Sequence, residues 1–522
     1  MLLLRWPMGP TVMAVALIHA GCAAVPGGHR PSDGEGADVV SRAAESWAQW
    51  SRQPDHPETR RPCDRSLRRL VRWVDSVPVG RREAAFQAAG LVMETDRLEE
   101  EGADRFTPAD EVDQSVLLHC HRRDGVGLPV VAWRVNDGSG RWDALRPPEG
   151  LFAPATAVLD RLPDGRARLR FLSPVNRREV ELSGKLQPLA ADFSAPVATL
   201  ASHAAALRRS AFSGMLDSGK SARREKLYLI QPYDPDRIPL LMVHGLKSTP
   251  VAFANLVNDL LADPEIRRRY QIWHYHYPTG TPVLMNAMTL RRVLGETMRK
   301  LDPKGRDSAT RHMVVIGHSM GGVISHTLAS DSGWSLWDSA VAKRPGELAG
   351  PPEALAILRD LYLFRPNPAV RRVIFVAAPH RGSLWADNWL GSLGQRLLKP
   401  DPAVIQALRP AVEPNRAFIT PYLVRLIDEG KVSSIRTLSG RSPALMALSG
   451  IPPAVPFHSI IGQKHPGPVA LGSDGFVTYA SSHLDGAESE LVVPYGHNAH
   501  LHPQAVAEIR RILLKHLKTD GM

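Results

Sequence analysis

Met313-Val314-Val315-Ile316-Gly317-His318-Ser319-Met320-Gly321-Gly322 is the stretch on which the reading of this chain turns. Four consecutive apolar residues predict a buried strand, and Val323–Ala329 returns to helical spacing. Between them stands G-x-S-x-G, so Ser319 falls on the corner where strand becomes helix. A serine on so sharp a turn has its hydroxyl pushed outward, and glycines on either side remove the Cβ atoms that would collide there. The helix that follows aims its N-terminal dipole at the same oxygen. Ser319 is therefore the expected nucleophile, whereas His318, inside the motif, is expected to pack rather than to carry a proton.

Outward from this corner, apolar runs alternate with helical stretches from about Leu227 onward, which signals an α/β architecture with a parallel sheet covered on both faces. The expected strands are Ile238–Val243, Gln271–Tyr277, Met313–Ile316, Val373–Ala377, Phe457–Ile461 and Glu490–Val493. Each ends at residues capable of chemistry, and ligands of open α/β sheets bind beyond the carboxyl ends of the strands. Ile238–Val243 leads into His244-Gly245-Leu246-Lys247-Ser248-Thr249-Pro250. After Phe457–Ile461 the first acidic residue is Asp474, in Gly472-Ser473-Asp474-Gly475. Its flanking glycines suit a tight turn that delivers the carboxylate inward, with an Asx turn on its own backbone as the alternative. Glu490–Val493 ends at Pro494-Tyr495-Gly496-His497-Asn498-Ala499-His500-Leu501-His502-Pro503, so a base is to be sought among three histidines. No HExxH pattern or cysteine partner accompanies them, and no metal is expected there.

With these motifs in this order, the segment from about Tyr228 to Leu517 resembles the α/β-hydrolase superfamily of lipases and esterases. Ala378-Pro379-His380-Arg381-Gly382-Ser383 is similar to the P-H-R-G-S loop of many lipases and of glycosylphosphatidylinositol deacylases. The resemblance implies the chain order serine, acid, histidine, hence Asp474 as the acid and His497, just after a glycine, as the base. His500 and His502 remain alternatives for the base. His380 precedes Asp474, breaks that order, and is expected to be structural. The resemblance further implies that the backbone N–H groups of Leu246 and Met320 face a tetrahedral oxyanion. The implied activity is hydrolysis of carboxylic esters through an acyl-enzyme, without a cofactor. Acyl transfer to an alcohol in the cell envelope is one alternative; a non-catalytic surface binding or scaffold protein is the other.

Two insertions, 333–368 and 384–455, are rich in apolar residues at helical spacing and are expected to cap the sheet. Trp385 and Trp389 are candidate substrate contacts under a mobile lid, with plain helical core as the alternative. Such apolar walls favour acyl-ester or lipid substrates over charged peptides.

The N-terminus reads differently. Met1–Cys22 carries Arg5, an apolar run Val12–Ile18 and small residues before a cysteine, which predicts an export signal. Pro7, Gly9, Pro10 and His19 interrupt the run and argue against a permanent span. His19-Ala20-Gly21-Cys22 resembles the lipobox of bacterial lipoproteins, which implies a diacylated Cys22 anchoring the protein to an envelope membrane. Ordinary cleavage to a soluble periplasmic or secreted protein is the alternative. Beyond it, 23–36 reads as a flexible tether, 37–115 as a helical region, 116–205 as a small antiparallel β domain, and 206–226 as a basic linker. Residues 227–522 read as the catalytic domain. Cys63 and Cys120 could pair or stay free.

At 522 residues the chain implies two or three folding units. Its 43% hydrophobic and 22% charged residues exclude global disorder and a polytopic membrane protein. The net charge of +11 fits contact with anionic lipid or simple solvation. Nucleic acid is not an expected partner for an exported chain, and the oligomeric state is left open.

Overall fold

The structure, a computed structural model, describes residues 33–52, 56–96, 102–140, 142–182, 184–213, 225–383 and 402–519. Cys22 and the export segment, most of the tether, Trp385, Trp389 and part of the basic linker lie outside the described residues. Among the described residues no helix is long and apolar enough to cross a membrane.

Among the described residues the N-terminal half carries nine strands: β1 (Leu91–Thr95), β2 (Arg105–Pro108), β3 (Arg122–Arg123), β4 (Leu128–Arg134), β5 (Leu151–Arg161), β6 (Ala167–Leu172), β7 (Glu179–Leu182), β8 (Lys185–Pro188) and β9 (Ala191–Asp192). Five of them form one sheet in the order β1-β6-β5-β4-β2, while β3 pairs with β9 and β7 with β8. Trp47, Trp50, Leu67, Leu70 and Val74 from the helices Asp33–Arg52 and Pro57–Ser76 share a core with Val130, Ala157, Leu169 and Phe171 of this sheet. Each such buried side chain contributes about 1.5–3 kcal/mol, which lets a small sheet stand with its helices as one unit.

Three expectations change here. The stretch 37–115 is not helical throughout, because β1 and β2 belong to the sheet. Val77 is extended before Pro78, as a residue preceding proline must be, and this ends the second helix. Leu91-Val92-Met93 then suits either period and is settled by pairing with β6. That pairing is parallel, so the sheet is not purely antiparallel. Finally, the supposed tether and linker are partly helical: Asp33 already opens a helix, and Ala195–Ser213 runs through an alanine-rich stretch of high helix propensity. Cys63 and Cys120 stay apart as free thiols, Cys63 within the helical core, where burial pushes its pKa up to about 12.

The second sheet has seven strands: β10 (Lys226–Leu229), β11 (Ile238–Val243), β12 (Tyr270–His276), β13 (Met313–His318), β14 (Val370–Val376), β15 (Phe457–Gly462) and β16 (Ser489–Val493). Their order is β10-β12-β11-β13-β14-β15-β16, with β10 antiparallel and the rest parallel. This is a mostly parallel α/β sheet with one antiparallel edge strand. Alternate residues divide cleanly between its faces. Leu241, Val243, Val315 and Phe375 pack with the helices Val283–Leu301 and Met320–Ala329. Leu240, Met242, Ile316 and Val376 pack with Ala254–Ala262 and Pro503–Thr519. Burial on both faces explains why these strands read as unbroken apolar runs. The described helices between positions 335 and 449 join the first of these cores through Leu361, Leu408, Leu426 and Leu445.

Candidate active site

The corner after β13 is built by close approach of backbone. Ser319 has φ 54° and ψ −127°, a left-handed conformation that costs a non-glycine residue about 1–3 kcal/mol. The surroundings hold it there: its N–H donates to Val376 O at 2.9 Å, and its carbonyl accepts from Gly322 N at 2.8 Å. A Cβ on Gly321 would stand 2.1 Å from Val243 O, so the helix Met320–Ala329 can only leave the sheet at this angle with glycine there.

Three side chains from three loops meet at this corner. Ser319 Oγ lies 2.8 Å from His497 Nε2, and His497 Nδ1 lies 2.8 Å from Asp474 Oδ2. Since a carboxylate only accepts, Nδ1 carries the ring proton and Nε2 is left to accept from the serine hydroxyl. Asp474 is almost wholly buried, and its Oδ1 accepts from the N–H groups of Phe476 and Val477 at 2.8 Å each. Its two oxygens therefore do both things considered from sequence: one closes an Asx turn and the other faces the imidazole.

The other two candidate bases are elsewhere. His500 Nε2 lies 3.2 Å from Ala252 O, its ring packs on Phe253 and His318, and burial pushes its pKa down to about 4. His502 accepts from Gln504 N at the start of the last helix. His318 does more than pack: its Nε2–H donates to the carbonyl of His497 at 2.9 Å and so fixes the backbone that carries that ring. Burial, with His500 and His497 close by, drives its proton affinity far below that of a free histidine, so it stays neutral.

The loop after β11 lies against Ser319. A Cβ on Gly245 would come within 2.9 Å of Ser319 Cβ and 3.2 Å of His318 Nδ1. Tyr277 anchors this loop, donating its hydroxyl to His244 O and stacking on the His244 ring at 4.3 Å. Lys247, next to Leu246, takes φ 54°, so the chain reverses here around Leu246. Met320 is the first residue of the helix Met320–Ala329, where backbone N–H groups have no partner within the helix.

The P-H-R-G-S loop plays a part that the sequence did not disclose. His380 is buried between Phe375 and His326 and held neutral by that burial. Its neighbours grip the turn after Asp474: Ser383 Oγ donates to Phe476 O at 2.6 Å, and Arg381 donates to the carbonyls of Ala480 and His483. One turn along the helix Met320–Ala329, Val323 helps to line a small apolar cavity of about 60 Å³ with Leu361, Leu408, Leu423, Leu426 and Leu445.

No family model matches the chain, and no curated protein matches it. Among solved structures it is similar to the mature form of the Bacillus licheniformis lipase BlEst2, at 16% identity over 55% of this chain and 97% of that one, TM-score 0.33. It is also similar to Staphylococcus hyicus lipase, at 12% identity over 56% of this chain and 98% of that one, TM-score 0.34. A third similar structure is the enol-lactonase from Burkholderia xenovorans LB400, at 14% identity over 54% and 92%, TM-score 0.26.

Proposed function

We propose that this chain is a serine hydrolase that cleaves carboxylic esters, with Ser319 as nucleophile, His497 as general base and Asp474 as the acid that orients it. The observation that carries this reading is the unbroken relay of two 2.8 Å contacts from Asp474 through His497 to a serine on a strained strand-to-helix corner. A serine hydroxyl is a weak nucleophile near neutral pH. His497 takes its proton as Oγ attacks the acyl carbon, then returns it to the departing alcohol. Asp474 holds the ring in the tautomer that leaves Nε2 free to accept, and stabilises the imidazolium without taking the proton. The N–H groups of Leu246 and Met320 receive the negative charge on the tetrahedral oxygen; each such donor typically contributes about 10²–10³ in rate. Water then attacks the acyl-enzyme with the same base.

For its location, the reading keeps the protein at a cell envelope through acylated Cys22, on the strength of the export-like segment Met1–Cys22. A Cys22→Ser variant then leaves the membrane fraction.

A fluorophosphonate probe and an acyl-length series of esters test the proposal. The probe is expected to label Ser319 in the wild type, and Ser319→Ala is expected to lose both labelling and turnover. Wild-type turnover by Ser319→Ala would overturn it.

A further inference from the structure

Away from the serine corner, the N-terminal domain meets the hydrolase sheet at the helix Ala254–Ala262, and there two histidines of one domain turn toward one carboxylate of the other. His119 Nδ1 lies 3.1 and 3.2 Å from the two oxygens of Asp259, and His121 Nε2 lies 2.8 Å from Oδ1. The three donor atoms all fall within 4.8 Å of one another. We propose that His119, His121 and Asp259 bind a divalent transition-metal ion, Zn²⁺ in the first instance, that clips the two domains together.

The donor set and the spacing both lead there. Two neutral imidazoles and a carboxylate suit Zn²⁺ and its first-row neighbours, whereas Ca²⁺ and Mg²⁺ demand shells of oxygen. Ligand bonds of about 2.0–2.1 Å in a tetrahedron put donor atoms roughly 3.3–3.4 Å apart, so the present contacts need to open by only a few tenths of an ångström. On binding, the nitrogen of each ring that now donates its N–H to Asp259 gives that proton up to water and coordinates the metal, and the other ring nitrogen takes a proton from water so that the imidazole stays neutral.

The site is also set in advance. The segment bearing the histidines is fixed by Leu118 N to Asn255 Oδ1 at 2.7 Å, Asn258 Nδ2 to His119 O at 2.9 Å, His121 N to Ser194 Oγ at 2.7 Å and Phe193 N to His121 O at 3.0 Å. Two of these partners, Asn255 and Asn258, precede Asp259 on its own helix, so one short stretch supplies a ligand and aims the other two. Asp259 is mostly covered while His119 is more than half exposed, which leaves an open side for entry and for water to complete the shell. Cys120 lies between the two histidines in sequence but outside the cluster.

The test uses the full chain without a polyhistidine tag, stripped with a chelator, then titrated with Zn²⁺ by calorimetry and with Co²⁺ by absorption spectroscopy. One equivalent is expected to bind, with the ligand-field bands of a four-coordinate site for Co²⁺, and Zn²⁺ is expected to raise the thermal midpoint. His119→Ala, His121→Ala and Asp259→Asn should each weaken binding by more than the roughly 10–100-fold that loss of an outer-shell partner costs. His119 is exposed and Asp259→Asn preserves shape, so circular dichroism of these two variants separates lost ligation from lost folding. Failure of the wild type to bind Zn²⁺, or wild-type affinity in His119→Ala or Asp259→Asn, would overturn the proposal. None of these outcomes depends on ester hydrolysis.

Discussion

Replacing His500 by glutamine separates a buried structural histidine from a working base. The His500 ring is about 1% exposed, and burial pushes its pKa down to about 4. In the unfolded chain the same ring takes its proton near the ordinary value of about 6.5. The unfolded state therefore binds more protons between these two values, so the stability present at neutral pH is lost as pH falls through that window. Going from about pH 7.5 to about pH 5.5, this one ring removes about 1.3 kcal/mol of folding stability. Glutamine does not titrate, and its side-chain N–H can still donate toward Ala252 O. Any change in packing weighs equally at both pH values and cancels in the difference. Urea unfolding of the wild type and His500→Gln, followed by circular dichroism at both pH values, measures it. The variant is expected to lose about 1.3 kcal/mol less on acidification and to keep ester turnover. Equal acid sensitivity of the two proteins, or a loss of turnover as deep as that of His497→Gln, would refute the reasoning.

Asp474→Asn leaves the turn intact but removes the group that fixes the His497 tautomer; steady-state kinetics should show kcat falling by about 10⁴-fold with KM near wild type. Gly245→Ala puts a methyl 2.9 Å from Ser319 Cβ, so it should cost about 1–3 kcal/mol in denaturant unfolding and depress kcat more than KM. Leu423→Trp overfills the small cavity against the helix Met320–Ala329 and should cost about 1–3 kcal/mol in denaturant unfolding, with fluorophosphonate labelling of the folded variant near wild type.

The serine corner was legible because its demands are local. A strand, two obligatory glycines and a helix must follow one another within about ten residues, and no other arrangement of Met313–Gly322 satisfies them. Asp474 and His497 could be ranked because each stands on the first loop after an apolar strand. What stayed hidden depends on contacts between distant segments. His318 looks like filler until the carbonyl of His497 is found over its ring nitrogen, and Ser383 and Arg381 show their purpose only against the turn after Asp474. β10 is short, half polar and begins within the basic stretch, so its pairing with β12 rather than its pattern makes it a strand. The His119, His121 and Asp259 cluster spans two domains, and its sequence pattern of two histidines around a cysteine points to no third member.

The tight backbone contacts at Gly245 and Gly321 bear on how such a chain could be re-engineered. A methyl at Gly321 would meet the carbonyls of Val243 and His244 at 2.1 and 2.5 Å, and one at Gly245 would press on Ser319 Cβ at 2.9 Å and His318 Nδ1 at 3.2 Å. A mutational library spread over the whole C-terminal half would return few survivors from the corner and many from the helices between 335 and 449. Variation would accumulate in those helices, around a serine corner that no surviving clone had altered.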